Sequence, residues 1–454
     1  MRAGILKERE GSIAIKGAGT GSVSCGRDSV SGAVSQRACV FCGARVVLNP
    51  ITDAFHLVHG PIGCASYTWD IRGSLSSGPE LYRRSFSTDL RERDVVFGGV
   101  DRLRAAVSEI AERERPPVVF IYSTCLVGVI GDDVEAVCRE AESRYGIRVV
   151  NVKAPGFAGH KAMGYRLACE AIMDVISRDP EIPRRREGIN ILGDYNLAGE
   201  AWMVAGYFRE MGVPVVSTFT GDSTFASLRR SPGARLNVVQ CAGSMTHLAR
   251  SMEDGFGIPF VKASFFGLAD TRSALLNVAD LLGSGEVRRR ALSLARRESR
   301  RAERAVAPYL PGLRGKKAAI FVGGGFKAIS LIRQFRELGM ETVLVGTQTG
   351  TSGDYEVIQS LVSPGTVVLD DANPAELEAF MREKGADILV GGVKERPLAY
   401  KLGIAFCDHN HERRIPLSGF EGMVNFTREI NLSVNSPVWR HLRGRAAPGG
   451  AWEA

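Results

Sequence analysis

The chain has 454 residues, of which 44% are hydrophobic and 24% charged, and this composition excludes a disordered chain, a collagen and a small disulfide-bonded scaffold. Lys and Arg number 58 against 50 Asp and Glu, so the formal net charge of +8 permits anionic ligands without requiring nucleic acid. A prior of roughly 150 residues per domain predicts about three domains. The nine cysteines are an odd number spread over a long chain, which does not indicate a disulfide framework.

The sequence predicts no membrane partner. No stretch of about 18 uninterrupted apolar residues suits a membrane span. The charged N-terminal sequence MRAGILKEREGSIAIKG has no apolar signal core. We therefore expect a cytoplasmic protein with reduced thiols, in which a Cys is a buried small hydrophobe, a metal ligand or a nucleophile.

Short apolar runs rich in β-branched residues recur along the chain and predict strands that are buried on both faces. They cover residues 117–124, 147–156, 189–196, 213–222, 236–243, 318–325, 342–350 and 387–393. Helix-like segments lie between them, among them DDVEAVCREAESRY and ISLIRQFRELGM. Strands that alternate with helices predict an α/β fold of three Rossmann-like domains, with parallel sheets flanked by helices and ligands at the carboxyl ends of the strands.

The predicted domain organisation has five segments. They are an N-terminal arm over residues 1–36, α/β domains over 37–185, 186–310 and 311–440, and a loose tail over 441–454. The linker-like sequence PEIPRRREG lies at the first domain boundary. A strongly basic stretch at 286–305 is interpreted as a solvated helix face, because no aromatic residues interleave with it as they do in sites for single-stranded nucleic acid.

Several cysteines lie where metal ligands are expected. Cys39 and Cys42 have C-x-x-C spacing, which fits zinc or a redox dithiol, although no second C-x-x-C completes a zinc ribbon. Cys64 follows the tight loop HGPIG, and Cys125 follows a predicted strand. Three thiolates on separate loops suit an iron–sulfur cluster with one position open to a partner subunit. Cys241 ends the predicted strand LNVVQ.

The other cysteines favour structural roles. Cys138 and Cys169 fall within helical patterns and are predicted to be buried small hydrophobes. Cys407 lies in AFCDHNH beside His409 and His411. A metal site is one interpretation of this segment, and a loop with a hydrogen-bonded His is the favoured one.

The segment ACVFCGARVVLNPITDAFHLVHGPIGCASYTWDIRGSLSSGPELYRRSFSTDLRERDVVFGG, residues 38–99, resembles the nitrogenase component 1 superfamily. The resemblance continues through YSTCLVGVIGDDVEAVC, GDYNLAGE, NVVQCAGSMTHLAR, SFFGLADT and GFEGMVNFTREINLSVNSPVW, and so covers nearly the whole chain. Within the superfamily, the chain is most similar to α-type subunits of the scaffold on which the iron–molybdenum cofactor matures.

This resemblance implies metal ligands at the interface with a β-type subunit. Cys39, Cys64 and Cys125 match the three positions that hold an iron–sulfur cluster there, either a 4Fe–4S cluster or an eight-iron cluster like the nitrogenase P-cluster. Cys42 occupies a position where relatives often have another residue, and is left out of this set. His59, near the Cys64 loop, is expected to contribute hydrogen bonds at most.

The resemblance also implies a second metal site, bound between domains. Cys241 matches the Cys that binds the cofactor or its precursor, so we expect an eight-iron precursor or an iron–molybdenum-type cofactor with homocitrate there. Gly324, Gly325 and Lys327 follow a predicted strand, in a loop that packs near the cofactor in the family. Glycines permit close backbone approach, and the Lys could balance an anionic cluster. A plain strand-to-helix turn is the alternative interpretation.

Two departures from the catalytic nitrogenase subunit bear on function. Ser418 stands where the catalytic subunit has a His that binds the mature cofactor, and a hydroxyl is a poor ligand for a soft metal centre. Tyr165 stands at the position of a His beside the cofactor, which removes a proton donor. Both changes favour a scaffold that releases its cluster, and no residue is predicted to be catalytic.

The resemblance therefore implies a scaffold subunit that pairs with a NifN-like β-subunit in an α2β2 tetramer. It would receive an iron–sulfur precursor from a radical-SAM donor and work with the ATP-dependent Fe protein, and no nucleic acid partner is expected. The alternative is the catalytic α-subunit of a nitrogenase-like reductase, such as a methylthio-alkane reductase, which uses an active-site iron–sulfur cluster.

Overall fold

The computed structural model describes residues 6–19, 22–26, 38–68, 74–78, 84–178, 182–183, 185–410 and 412–439. Their contacts divide the chain into two compact units. The first unit consists of residues 38–262 and 278–287. The second unit takes its described residues from 6–26, 263–277 and 288–439.

The strands of the described residues form three sheets. They are β1 (Ile13–Ile15), β2 (Ala54–His59), β3 (Ser85–Ser87), β4 (Val118–Ser123), β5 (Arg148–Lys153), β6 (Ile189–Asp194), β7 (Val215–Thr220), β8 (Leu236–Val239), β9 (Phe260–Lys262), β10 (Lys317–Val322), β11 (Glu341–Thr347), β12 (Val367–Asp370), β13 (Ile388–Gly391) and β14 (Ala405–Asp408). Each of the eight apolar runs predicted as a strand overlaps one of these strands. The others are absent from the prediction because they are short or carry polar residues.

The α-helices lie mostly between consecutive strands. They are α1 (Val40–Leu48), α2 (Ile62–Tyr67), α3 (Glu92–Phe97), α4 (Val100–Glu114), α5 (Cys125–Ile130), α6 (Val134–Tyr145), α7 (Lys161–Ser177), α8 (Glu200–Glu210), α9 (Phe225–Arg230), α10 (Ala242–Phe256), α11 (Leu268–Leu282), α12 (Gly285–Val306), α13 (Leu310–Leu313), α14 (Gly325–Glu337), α15 (Ser352–Leu361), α16 (Pro374–Lys384), α17 (Arg396–Lys401) and α18 (Gly419–Val434). Short 3-10 helices cover Lys7–Ser12, Leu75–Ser77, Gly156–Ala158, Ser231–Gly233 and Ala307–Tyr309. None of the described helices is both long and apolar enough to cross a membrane.

The first unit contains two parallel sheets, with strand orders β3-β2-β4-β5 and β7-β6-β8-β9. Residues along β4 alternate between two apolar cores, because successive side chains of a strand point to opposite faces. Phe120 and Tyr122 pack into one core, and Val119 and Ile121 into the other. The predicted α/β class, with parallel sheets flanked by helices, is confirmed.

The second unit contains one sheet with the order β1-β12-β11-β10-β13-β14. Its pairs are parallel except that β1 lies antiparallel to β12, with Ile13 opposite Leu369. Part of the predicted N-terminal arm is therefore an edge strand. Just before this strand, the Nε of Arg9 and the Oε1 of Glu376 form a buried ion pair at 2.9 Å.

The other domain boundaries stay predictions. The predicted tail, 441–454, and part of the linker at 180–188 lie outside the described residues.

The basic stretch forms helix α12. Arg289, Arg296 and Arg300 are exposed on it, while Leu294 and Ala302 are buried. The basic face of α12 is therefore exposed to solvent and its apolar face is buried, in agreement with the interpretation made from the sequence.

Helices α1 and α7 of the first unit pack closely at two glycines. A Cβ atom at Gly43 of α1 would overlap the carbonyl oxygen of Lys161. A Cβ atom at Gly164 of α7 would likewise overlap the carbonyl oxygen of Val40. Because glycine has no side chain, α1 and α7 can pack this closely at both positions.

We expect Gly43→Ala to lower the free energy of unfolding by about 2 kcal/mol, because overpacking of a tight contact costs ~1–3 kcal/mol. Gly206→Ala in α8 is the matched control, since a Cβ atom there meets no atom within 4 Å. Replacement of a helical Gly without a clash stabilises by roughly 0.5–1 kcal/mol. Chemical denaturation of the two variants measures the difference, and equal unfolding free energies would contradict the packing argument.

Candidate functional site

Three cysteines of the first unit lie at the beginnings of three helices. Cys39 directly precedes α1, Cys64 is the third residue of α2, and Cys125 is the first residue of α5. Strands β2 and β4, which lead into α2 and α5, are parallel neighbours. The carboxyl ends of parallel strands meet at one edge of the sheet, so Cys64 and Cys125 come from adjacent strand ends. The sequence predicted the strand before Cys125 but not the strand before Cys64.

Gly156, just after β5, lies against two of the three thiols. Its N–H donates to the Sγ of Cys125 at 2.9 Å. A Cβ atom on Gly156 would lie 3.0 Å from the Sγ of Cys125 and 3.3 Å from the Cβ of Cys39. The glycine therefore leaves room beside both cysteines and supplies a backbone donor to sulfur.

The three thiols also influence one another electrostatically. Burial raises the pKa of Cys64, and the neighbouring Cys125 and Cys39 raise that pKa further. Thiolates gathered in this way repel one another, and bound iron removes that repulsion.

This donor set suits a cluster with several irons. Within the described ranges, no group of three or more His, Cys, Asp or Glu side chains is positioned to hold a single metal ion. The ligands of an iron–sulfur cluster bind separate iron atoms and need not converge on one point. Soft thiolates are the ligands that such clusters take, so Cys39, Cys64 and Cys125 fit the group that the sequence predicted.

A buried histidine ties together the loops that lead into α2 and α5. The Nδ1 of His59 lies 3.0 Å from the hydroxyl of Thr88, and its Nε2 lies 3.0 Å from a carboxylate oxygen of Asp132. The carbonyl of His59 accepts from the backbone N–H of Thr124 at 3.2 Å. These bonds agree with the expectation that His59 contributes hydrogen bonds.

Cys241 lies separately within the first unit, between the end of β8 and the start of α10. The neighbouring strand β6 ends near Gly193, whose φ of +92° is in the left-handed region. A Cβ atom on Gly193 would lie 2.7 Å from the backbone nitrogen of Cys241. A glycine is therefore required for the ends of β6 and β8 to approach so closely.

Two partly buried tyrosines accompany the Cys241 thiol. Burial raises the pKa of Tyr195 well above its ordinary value and Cys241 raises it further, while the Tyr195 hydroxyl donates to the Oγ of Ser244 at 2.7 Å. Burial also raises the pKa of Tyr165, with Lys161 lowering and Cys241 raising it. Both phenols therefore stay protonated beside the thiol.

Of these two tyrosines, the sequence pointed only to Tyr165. Tyr195 was missed, although it directly follows β6, the neighbour of the strand that ends before Cys241. The order of strands in the sheet is the signal that would have found it. None of the nine cysteines, all of which the structure describes, takes part in a disulfide.

The predicted loop residues Gly324, Gly325 and Lys327 lie in the second unit, at the start of α14. A Cβ atom on Gly325 would crowd the side chain of Asp354, which gives this glycine a packing role. The Nζ of Lys327 donates to the carbonyl oxygen of His409 at 3.0 Å. These contacts agree with the plain strand-to-helix turn, and the role of the three residues in cofactor binding stays a prediction.

Ser418, also in the second unit, precedes α18 and is buried. Its side chain does not cap the helix. A buried hydroxyl at this position supplies no soft metal ligand, so the structure is compatible with the interpretation made from the sequence.

The expectation of a hydrogen-bonded histidine near Cys407 is wrong for His409. Cys407 is buried in β14, and no group of the described residues forms a hydrogen bond with either ring nitrogen of the fully buried His409. The ring instead packs edge-on against Phe266 and Phe426, with centroids 4.9 and 5.8 Å away. The polar sequence around His409 gave no sign of this aromatic surrounding, and His411 lies outside the described residues.

His409 is expected to make folding sensitive to acid. Burial lowers the pKa of His409 well below its ordinary value, and Lys327 and Arg413 lower that pKa further. Below about pH 6.5 the unfolded chain therefore binds a proton that the folded chain does not, and the free energy of unfolding falls with pH. Between pH 7.5 and 5.5 the wild type should lose about 1.4 kcal/mol more than His409→Phe, as measured by urea denaturation. Identical losses in the two proteins would contradict the assignment.

Comparison with known proteins identifies the family. The family model described as "Nitrogenase component 1 type Oxidoreductase" matches residues 39–435, a range that includes all four predicted metal ligands. The chain belongs to this family. Membership implies metal–sulfur clusters and agrees with the donor set described above.

Relatives within the nitrogenase component 1 family match along nearly their whole length. The chain is 60% identical over 443 residues to "Nitrogenase iron-molybdenum cofactor biosynthesis protein NifE" of Clostridium pasteurianum, covering 96% of this chain and 97% of that protein. It is 51% identical over 433 residues to the NifE of Methanosarcina barkeri, covering 93% and 94%. The solved structure "Nitrogenase Cp1 at pH 6.5" superposes with a TM-score of 0.88 at 27% identity, covering 98% of this chain and 97% of that one. These matches confirm the predicted family and fold.

Proposed function

We propose that this protein is the α-type subunit of a scaffold on which the iron–molybdenum cofactor of nitrogenase matures. The observation that carries the proposal is the presence of two separate thiol sites in a chain whose relatives are named for cofactor biosynthesis. One site gathers three cysteines, and the other has Cys241.

The first site is proposed to hold an iron–sulfur cluster, of four or eight irons, through Cys39, Cys64 and Cys125. Such a cluster supplies electrons to chemistry elsewhere in the complex. The chain's own contributions are the three thiolates, the N–H of Gly156 that donates to sulfur, and the hydrogen bonds of His59 that fix the two loops.

A β-type subunit is proposed to complete this site. Exposed apolar side chains lie beside the thiols: Ile62 is 58% exposed, Val129 is 74% exposed and Phe157 is 66% exposed. They neighbour Cys64, Cys125 and Gly156 in the chain or on the same helix. Apolar groups around a reactive cluster are typical of a surface that a partner covers. We infer a NifN-like partner in an α2β2 tetramer.

The second site is proposed to receive cargo. An eight-iron precursor, supplied by a radical-SAM donor, would bind at Cys241 and be matured with molybdenum and homocitrate through the Fe protein, in the cytoplasm. Cys241 offers one thiolate, flanked by the protonated Tyr165 and Tyr195. Ser418 adds no soft ligand, so the finished cofactor is held weakly enough to leave. Gly324, Gly325 and Lys327 remain the predicted neighbours of the cargo.

The experiment that tests this proposal is anaerobic purification of the complex after coexpression with the β-type partner. Iron and acid-labile sulfide should be found in it, and the cargo should pass to a catalytic component that lacks its cofactor. A colourless complex that stays free of iron after reconstitution would overturn the proposal. Sustained reduction of a small substrate by the complex itself would favour the reductase alternative.

A further inference from the structure

Among the residues that the structure describes, no acidic side chain pairs with the buried guanidinium of Arg45 in α1. Arg45 as a whole is only 3% exposed to solvent. Its Nη2 donates to the Oγ of Ser85 at 2.6 Å, and its Cζ lies 5.5 Å from the centroid of the Tyr122 ring. Within the described part of the chain, the Nε and Nη1 of Arg45 have no hydrogen-bond partner. A buried charge in this state is among the costliest features a core can contain.

Further unpartnered nitrogens come from residues next to Arg45. His56 of β2 is paired in register with Ser85 of β3, the residue that accepts from Arg45. The Nδ1 of His56 lies 2.9 Å from the Tyr122 hydroxyl, but its Nε2 has no partner. Arg84 directly precedes Ser85, and its buried Nη1 has no partner either. Arg45, His56 and Arg84 thus have four side-chain nitrogen atoms that form no hydrogen bond with any described residue.

The charges around these nitrogens do not balance. Burial lowers the pKa of His56 well below its ordinary value, with Arg45 and Arg84 lowering that pKa further, so the imidazole is neutral. Burial raises the pKa of the Tyr122 phenol, which therefore supplies no negative charge. Burial raises the pKa of the Asp53 carboxyl, while the N–H of Phe225, which donates to its Oδ1 at 2.8 Å, and the charge of Arg84 lower that pKa. One carboxylate does not balance two guanidinium charges.

We propose that Arg45, Arg84 and His56 form a binding site for a small inorganic anion, inside the first unit and behind the helix that follows Cys39. Charge decides between an anion and a water molecule. A water molecule can accept hydrogen bonds from the N–H groups, but it leaves the charge of Arg45 uncompensated. An anion accepts the hydrogen bonds and also compensates the charge. When the Tyr122 hydroxyl donates to Nδ1, the neutral His56 carries its proton on Nε2 and offers a further donor. This proposal is independent of the proposed function.

Thermal unfolding of the full-length chain tests the site. Sodium chloride, bromide, sulfate and phosphate are titrated one at a time at constant ionic strength, with gluconate as the bulky background anion. The wild type should show a saturable rise in unfolding temperature with at least one of the four anions. In Arg45→Met the half-saturating concentration should rise at least about tenfold, since a charged hydrogen-bond donor is lost.

Arg113→Met is the matched control, because its side chain is 74% exposed and pairs with Glu109 on the surface. This variant should respond as the wild type does. Equal responses in all three proteins, or a response to none of the four anions, would overturn the proposal. If Arg45→Met fails to fold, anomalous diffraction from a bromide-soaked wild-type crystal decides. A bromide peak in contact with the Arg45 guanidinium supports the site, and water alone at that position overturns it.

Discussion

Replacing Cys64 with Ala is expected to remove the interface cluster from the complex. Cys64 is one of three thiols that share the site, and Cys125 and Cys39 are close enough to raise its pKa. Iron bound at this site should fall by more than about tenfold, since even changes to residues behind metal ligands cost 10- to 100-fold in affinity. Iron and acid-labile sulfide per chain, measured after anaerobic purification with the partner, give the result.

Cys138→Ala is the matched control for this prediction. Cys138 is buried in α6, and burial raises the pKa of its thiol to about 12, so it remains a protonated core residue. This variant should retain its iron. Equal iron contents in the two variants would contradict the assignment of Cys64 as a ligand.

Replacing Cys241 with Ala is expected to abolish retention of the cargo while leaving the interface cluster in place. Cys241 is the sole cysteine predicted to bind the precursor, so its loss removes the proposed thiolate anchor. Molybdenum content after maturation, together with the iron that exceeds the interface cluster, measures the loss. We expect a decrease of more than about tenfold.

Cys169→Ala controls for disturbance of the surroundings. The Cys169 thiol is buried near the same region and donates to the carbonyl oxygen of Ser244 at 3.2 Å. The Cys169→Ala variant should keep the cargo even if its free energy of unfolding drops slightly. Retention of cargo by Cys241→Ala, or an equal loss in both variants, would contradict the proposed role of Cys241.

Much of the fold could be predicted because buried parallel strands have a clear apolar pattern. The strand β4, VVFIYS, is apolar along almost its whole length and was predicted within one residue at each end. The strand β2, AFHLVH, was missed because two histidines interrupt the pattern. His56 and His59 are nevertheless fully buried, because the hydroxyls of Tyr122 and Thr88 and the carboxylate of Asp132 meet their rings. A local pattern contains no information about such distant partners.

The residues of the candidate sites could also be predicted only in part. Cys125 and Cys241 follow predicted strands, and the rule that ligands bind at strand ends was sufficient to mark them. Gly156 and Tyr195 were missed because their importance depends on which strands are neighbours. His409 was misjudged for a similar reason, since Phe266 and Phe426, which surround its ring, are distant in sequence.

A transfer assay determines whether the protein matures a cofactor and passes it on. The purified complex is supplied with precursor, molybdate, homocitrate, Fe protein and ATP, and then mixed with a catalytic component that lacks its cofactor. Substrate reduction should appear only after mixing, and the number of activated sites should not exceed the number of cofactors loaded on the complex. Sustained substrate reduction by the complex alone, without transfer to the catalytic component, would contradict this prediction.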